Sequence, residues 1–217
     1  MTQDRIDGRR VRGDESRRVI LAQALDTASV EGLDGLTIGG LAEAVGHSKS
    51  GVATLFGSKE QLQLATIAAA REIFVQQVIV PARENPHGLA RVCALVANWL
   101  EYSRRRVFRG GCFFVAGAVE YDSKPGAVRD ALLSAMTDWE GYLSHCIDQA
   151  VASGELPGVD DAGQLAFEII SFLEAANTRS LMRASAEPYE RAAEAVRSRL
   201  IWGGAPTEDL ARLAKPR

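Results

Sequence analysis

The sequence is poor in the features that would set it apart from ordinary globular proteins. It has three cysteines, Cys93, Cys112 and Cys146, an odd number set far apart in apolar runs. That fits reduced thiols better than a disulfide framework. Its 25 Lys and Arg stand against 28 Asp and Glu, a net charge of −3. Bulk basicity therefore cannot hold nucleic acid, and only a local basic site remains open. Residues 1–18 are polar and lead into a short apolar run, not a signal-peptide core, and no unbroken run reaches the roughly 18 apolar residues of a membrane span. The expectation is a soluble, cytoplasmic chain. Aromatic residues are scarce in one place above all, since of 14 rings only Phe56 precedes Phe74. A segment so short of rings has no stacking platform for single-stranded nucleic acid.

Proline is also confined. Pro81, Pro86, Pro125, Pro157, Pro188, Pro206 and Pro216 fall between apolar-periodic segments, where a helical chain places residues that break helices. Alternating strand patterns are nearly absent, and Asp34-Gly35 sits between two helical segments. What is present is apolar spacing at helical period: Val19, Ile20, Ala24, Leu25 and Ala28 in one stripe, and Leu62, Leu64, Ile67, Ala68, Phe74 and Val78 in another. An all-α fold follows, with helices at about 15–31, 38–45, 49–55, 59–80, 88–105, 110–121, 126–153, 161–184 and 188–202. Ser58 with Gln61 and Asp161 with Gln164 read as helix starts, and Pro188 suits a first turn.

The uneven aromatics divide the chain into an N-terminal head over about 1–57, a connecting helix over about 58–80 and an aromatic-rich body over about 81–217. Within the head, Thr37–Val45, a turn at Gly46-His47 and a second short helix opened by Ser48 have the layout of a helix-turn-helix. Gly46 supplies the positive φ that ends the first helix. Ile38, Leu41, Ala42 and Val45, with Val52, Leu55 and Phe56, give the two helices their apolar faces. Lys49, Ser50, Ala53 and Thr54 are left on a small polar face that a DNA major groove accepts. Gly39-Gly40 costs on the order of 2 kcal/mol of helix propensity and reads either as room for DNA or as tolerated near a helix end.

Ile20-Leu21, Ala24-Leu25, Gly32, Thr37-Ile38, Leu41-Ala42, Gly46, Ser48, Phe56, Ser58-Lys59-Glu60 and Leu62 run in register through four helices. Over residues 17–66 the chain resembles the TetR family of bacterial transcriptional repressors. The resemblance implies an operator-binding head, a homodimer and a helical ligand-binding body, with double-stranded operator DNA and a small apolar or aromatic effector as partners. Ala53 stands where the family carries a tyrosine that touches phosphate, so base reading leans on Lys49, Ser50 and Thr54. Lys59 lies beside the start of its helix, where free amides and the dipole favour an anion, and reads as a phosphate contact or as a solvated lysine. Thr37 reads as a phosphate contact or as a plain N-cap. The N-terminal arm offers Arg5, Arg9, Arg10, Arg12, Arg17 and Arg18 to a backbone or minor groove, with residues before Arg12 expected as a disordered, solvated tail.

In the body, Trp99, Tyr102, Phe108, Cys112, Phe113, Trp139 and Tyr142 are the pocket candidates that the resemblance implies, with core packing as the alternative. The last two long segments carry wide apolar stripes, among them Leu165, Ile169, Phe172, Ala176, Val196 and Leu200. Their width predicts a two-fold seam between subunits, the alternative being that they close the core of one chain. No catalytic set is expected. Gly46–Gly51 is followed by Val52-Ala53 where a P-loop needs lysine and a hydroxyl, adjacent His145 and Cys146 diverge on a helix, and Glu120-Tyr121-Asp122 reads as a solvated helix end. No metal or cofactor is expected, and the competing reading is an all-helical enzyme or carrier bundle.

Overall fold

A computed structural model describes residues 3–213, with side chains from Gly13 onward. The fold is all-α, as the periodicity predicts, and the described residues hold no strand. The elements in chain order are α1 (Gln3–Glu31), α2 (Ile38–Ala44), α3 (Lys49–Phe56), α4 (Lys59–Phe74), a π-helical turn (Val75–Ile79), α5 (Val80–Ala82), α6 (Leu89–Arg104), α7 (Phe113–Tyr121), α8 (Ala127–Ala152), α9 (Ala162–Arg183), α10 (Glu187–Trp202) and a 3-10 stretch (Thr207–Leu213).

The chain forms two compact units. The first holds the chain up to Arg71 together with Phe108–Leu132, and the second holds Glu72–Val107 with Leu133 onward. In the first, Ile20, Ala24, Leu25, Leu36, Leu41, Val52, Phe56 and Leu62 are buried beside Phe108, Phe113 and Phe114. In the second, Val92, Leu95, Trp99 and Tyr102 of α6 are buried with Leu143 and Ile147 of α8 and with Leu165, Ile169, Val196 and Leu200 of α9 and α10. Each fully buried Leu or Ile contributes about 1.5–3 kcal/mol, so these two sets carry most of the stabilisation.

Caps fall where the sequence signals them. Ser58 Oγ accepts the Gln61 amide at 3.1 Å, Asp161 Oδ1 accepts the Gln164 amide at 2.9 Å, and Pro188 lies in the first turn of α10. The buried face of α4 differs from the expected stripe: Ala68 is exposed, while polar Gln63 and Thr66 are buried. Both have partners. Thr66 Oγ1 donates to the Leu62 carbonyl at 2.8 Å and Gln63 Nε2 to the Leu33 carbonyl at 2.9 Å, which offsets the cost of burying them.

Three expectations need correction. α1 begins at Gln3, not near residue 15, because Gln3–Arg18 contains no proline and is rich in straight-chain residues that favour helix. The tail expected to be disordered is therefore helical in backbone from Gln3, and the side chains of Arg5, Arg9, Arg10 and Arg12 lie outside the described residues. Pro81 sits inside a helical stretch, not between stretches. Its ring would strike the carbonyl four residues back in an α-helix, and the chain widens into the π turn there, with the Val80 amide donating to Val75. The stretch Lys59–Ala82 is long and apolar enough to cross a membrane by length and composition, which a search for unbroken apolar runs overlooks. Its Leu62, Ile67, Ala70, Phe74 and Val78 are buried within the chain.

Candidate nucleic-acid interface

α2 and α3 form the turn that the sequence announces. Thr37 Oγ1 accepts the Gly40 amide at 3.0 Å, and Ser48 Oγ accepts the Gly51 amide at 3.1 Å. Between the helices Gly46 takes φ +67°, a left-handed conformation costly for any residue with a Cβ. Thr37 is thus the N-cap of α2. Gly40 has a packing reason as well, since a Cβ there would lie 2.9 Å from the capping Thr37 oxygen.

The outward face of α3 is available. Lys49, Ser50 and Thr54 are exposed and Ala53 is half-buried, while Val52 and Phe56 point into the core. Thr54 Oγ1 donates to the Ser50 carbonyl at 2.8 Å, and Ser48 and Ser50 hydroxyls lie 3.3 Å apart. Hydroxyls held this way keep lone pairs free for outside donors. Arg17 is turned inward: its Nη1 donates to the Leu55 carbonyl at 3.0 Å and its guanidinium lies 4.7 Å from the centre of the Phe56 ring. It fastens α1 to the end of α3.

Lys59 is neither free in solvent nor isolated. Its exposed ammonium donates to the Asp34 carbonyl at 2.6 Å, which uses one of three N–H bonds. The Asp34 carboxylate receives Lys124 Nζ at 2.7 Å and the Tyr121 hydroxyl at 2.6 Å. Lys124 first and then Tyr121 hold that carboxyl down at about 2. Burial, followed by the bond to Asp34, pushes the Tyr121 phenol well above its ordinary value. Glu120, expected as part of a solvated helix end, instead accepts the backbone amides of Leu33 and Asp34 at 2.7 and 2.8 Å. Sequence reasoning missed this cluster because Glu120, Tyr121 and Lys124 lie more than 80 residues from Leu33 and Asp34.

The candidate pocket residues separate. Phe108, Cys112 and Phe113 are buried in the first unit, where the Phe108 and Phe113 ring centres lie 5.7 Å apart. Trp99, Tyr102, Trp139 and Tyr142 belong to the second. There Phe74 meets Tyr102 edge-on at 5.6 Å and Trp139 at 5.4 Å, Trp99 lies 6.5 Å from Tyr102, and Arg83 stands over the half-buried Tyr142 ring at 5.5 Å. Cys93 is buried, which pushes its thiol up to about 12. Among the described residues no group of three or more His, Cys, Asp or Glu is placed to hold a metal.

The seam candidates are mostly covered by their own chain. Leu165, Ile169, Ala176, Val196 and Leu200 are buried between α9 and α10, and Phe172 is half-buried beside a groove of about 340 Å³ that Arg179, Arg183 and Arg191 also line. Apolar spacing cannot distinguish burial inside a chain from burial between chains. What these helices leave in solvent is Phe167 at 60%, Met182 at 84% and Trp202 at 76% exposure. Trp202 lies 4.5 Å from the guanidinium of Arg199, which pairs with Glu168 and has one buried nitrogen, Nη1, without a partner among the described residues.

The comparisons with known proteins agree with this architecture. Among curated proteins there is no match. A transcriptional regulator of Chloroflexus aurantiacus described as TetR is 27% identical, covering 88% of this chain and 96% of its own at a TM-score of 0.81. A TetR-family regulator from Agrobacterium tumefaciens, 16% identical, covers 87% and 97% at 0.76. AibR, solved in complex with isovaleryl coenzyme A and operator DNA, is 20% identical and covers 74% and 85% at 0.63. The family described as "Tetracyclin repressor-like, C-terminal domain" matches residues 88–196, half of the chain. With that match in the body and a helix-turn-helix at the head, the chain belongs to the TetR family of transcriptional regulators.

Proposed function

We propose that this regulator is a repressor that binds a pseudo-palindromic operator as a homodimer and is released by a small effector. The observation that carries the reading is the α3 face, where Lys49, Ser50 and Thr54 stand exposed on a helix whose opposite side is locked into the core. Lysine and hydroxyl side chains at that spacing suit base edges in a major groove, with Ala53 close enough for apolar contact. Thr37 and Lys59 flank the face and serve phosphates, and Arg17 supports it from behind. Work on DNA places the protein in the cytoplasm.

Phe167, Met182 and Trp202 support dimerisation through α9 and α10, because large apolar side chains left in water are costly. The Phe74, Trp99, Tyr102 and Trp139 rings, with Tyr142 nearby, favour a mostly apolar or aromatic effector. AibR, a distant relative in fold, was solved with both an effector and operator DNA. A salt-titrated binding assay against duplexes flanking the gene tests the proposal. A preferred site with half-sites about 34–36 Å apart is expected, and equal affinity for scrambled duplex at physiological salt would refute it.

A further inference from the structure

The loop between α1 and α2 is held from two sides inside the first unit. From α4, Lys59 Nζ binds the Asp34 carbonyl at 2.6 Å and Gln63 Nε2 binds the Leu33 carbonyl at 2.9 Å. From the end of α7, Glu120 takes the Leu33 and Asp34 amides, while Tyr121 and Lys124 take the Asp34 carboxylate. The Tyr121 oxygen also accepts from Gln63 at 3.0 Å, so the two sides share a bond. Gly32, at φ +82°, is required twice over, because a Cβ there would also sit 2.7 Å from the Glu120 carboxylate. Upstream, the Gly110 amide donates to Ser29 Oγ at 3.0 Å, and a Cβ on Gly110 would run into the Ser29 carbonyl. This loop leads directly into Thr37, the N-cap of α2.

We infer that Glu120, Tyr121 and Lys124 are positioning residues for operator binding, acting through Asp34 on Lys59 and on the start of α2. The inference rests on the proposed repressor function and concerns residues that lie outside the α3 face. The chemistry is specific. Lys124 and the Tyr121 hydroxyl hold the Asp34 carboxylate, which acts on Lys59 through charge alone, so Lys59 hydrogen-bonds one neutral carbonyl and keeps two N–H bonds for a phosphate. Without Lys124 and the Tyr121 hydroxyl, the Asp34 carboxylate is left to pair with Lys59, and a lysine drawn onto it no longer meets DNA as a full charge. Glu120 fixes the backbone on which both exchanges take place.

The test uses the full chain and its operator duplex, with Kd measured against salt and thermal melting recorded for each variant. The double variant Tyr121→Phe/Lys124→Gln is expected to bind about tenfold more weakly and to lose about 1 from the salt slope per subunit, as is expected of Lys59→Ala, while melting within a few degrees of wild type. Adding Lys59→Ala to that variant should change neither value further, which a merely structural role would not produce. Asp34→Asn should restore affinity to Lys124→Gln, an exposed change that keeps the fold, whereas Glu31→Gln, which removes the same charge from the exposed end of α1, should not. Wild-type affinity in the double variant, additive losses with Lys59→Ala, equal rescue by Glu31→Gln, or losses that only track melting would each overturn the inference and leave the proposed function standing. Failure of the wild-type chain to prefer any operator would remove both.

Discussion

Two helix pairs in this chain, α2–α3 and α9–α10, differ in whether they leave large apolar side chains in solvent. The first buries Leu41, Ala42, Val52 and Phe56 and shows solvent Lys49, Ser50 and Thr54. The second buries Leu165, Ile169, Val196 and Leu200 and shows solvent Phe167, Met182 and Trp202. Both pairs bury their apolar faces within the chain, so that packing does not explain what they leave outside. A small polar face suits hydrated base edges and phosphates, whereas large apolar side chains suit another apolar surface. On the proposed function, the contrast assigns one motif, a helix pair on a core, to DNA at one end of the sequence and to a second subunit at the other.

The contrast breaks most visibly at the apolar pair. Phe167→Glu with Trp202→Glu should turn the dimer into a monomer in sedimentation and weaken operator binding by about 100-fold or more, since the second half-site no longer adds its contact at high effective concentration. The α3 face should respond differently. Lys49→Ala or Thr54→Ala should leave the dimer intact and relax preference at particular base pairs by about 1–3 kcal/mol, read from binding to single-substitution operators.

Smaller effects sharpen the division of labour. Lys59→Ala should weaken binding to all sequences alike and reduce the magnitude of the salt slope by about 1 per subunit, without changing the preferred sequence. Acid should test the Asp34 cluster. A carboxyl held at about 2 against an ordinary 3.8 adds stability that is fully present above about pH 4 and is lost as pH falls toward 2. Its side chain is 53% exposed, so screening limits this to about 1 kcal/mol. Asp34→Asn should remove that part of the acid sensitivity in melts between pH 4 and pH 2.

The helices were legible because breakers, caps and apolar spacing are local signals. Ser48, Ser58 and Asp161 cap the helices that they announce, and Gly46 takes the conformation that its place demands. The helix-turn-helix face was legible for the same reason, since a short helix leaves few residues to face outward. What was not legible depends on distant partners. Glu120 looks like any acid at a helix end until Leu33 and Asp34 meet it. Gln63 interrupts an apolar stripe and is buried only because Tyr121 and the Leu33 carbonyl satisfy it. The stripes of α9 and α10 predict burial without saying by which chain, so the residues left in solvent became visible only once the two helices were packed.

The central claim is that the α3 face of a dimer reads duplex DNA. Its most direct test is to titrate the chain onto a duplex from the region flanking its gene, at several salt concentrations, beside a Lys49→Ala/Thr54→Ala variant. The account predicts two chains per site, affinity that falls steeply with salt, and a variant that binds the operator no better than scrambled DNA while remaining dimeric. A variant that keeps full preference for the operator would contradict it.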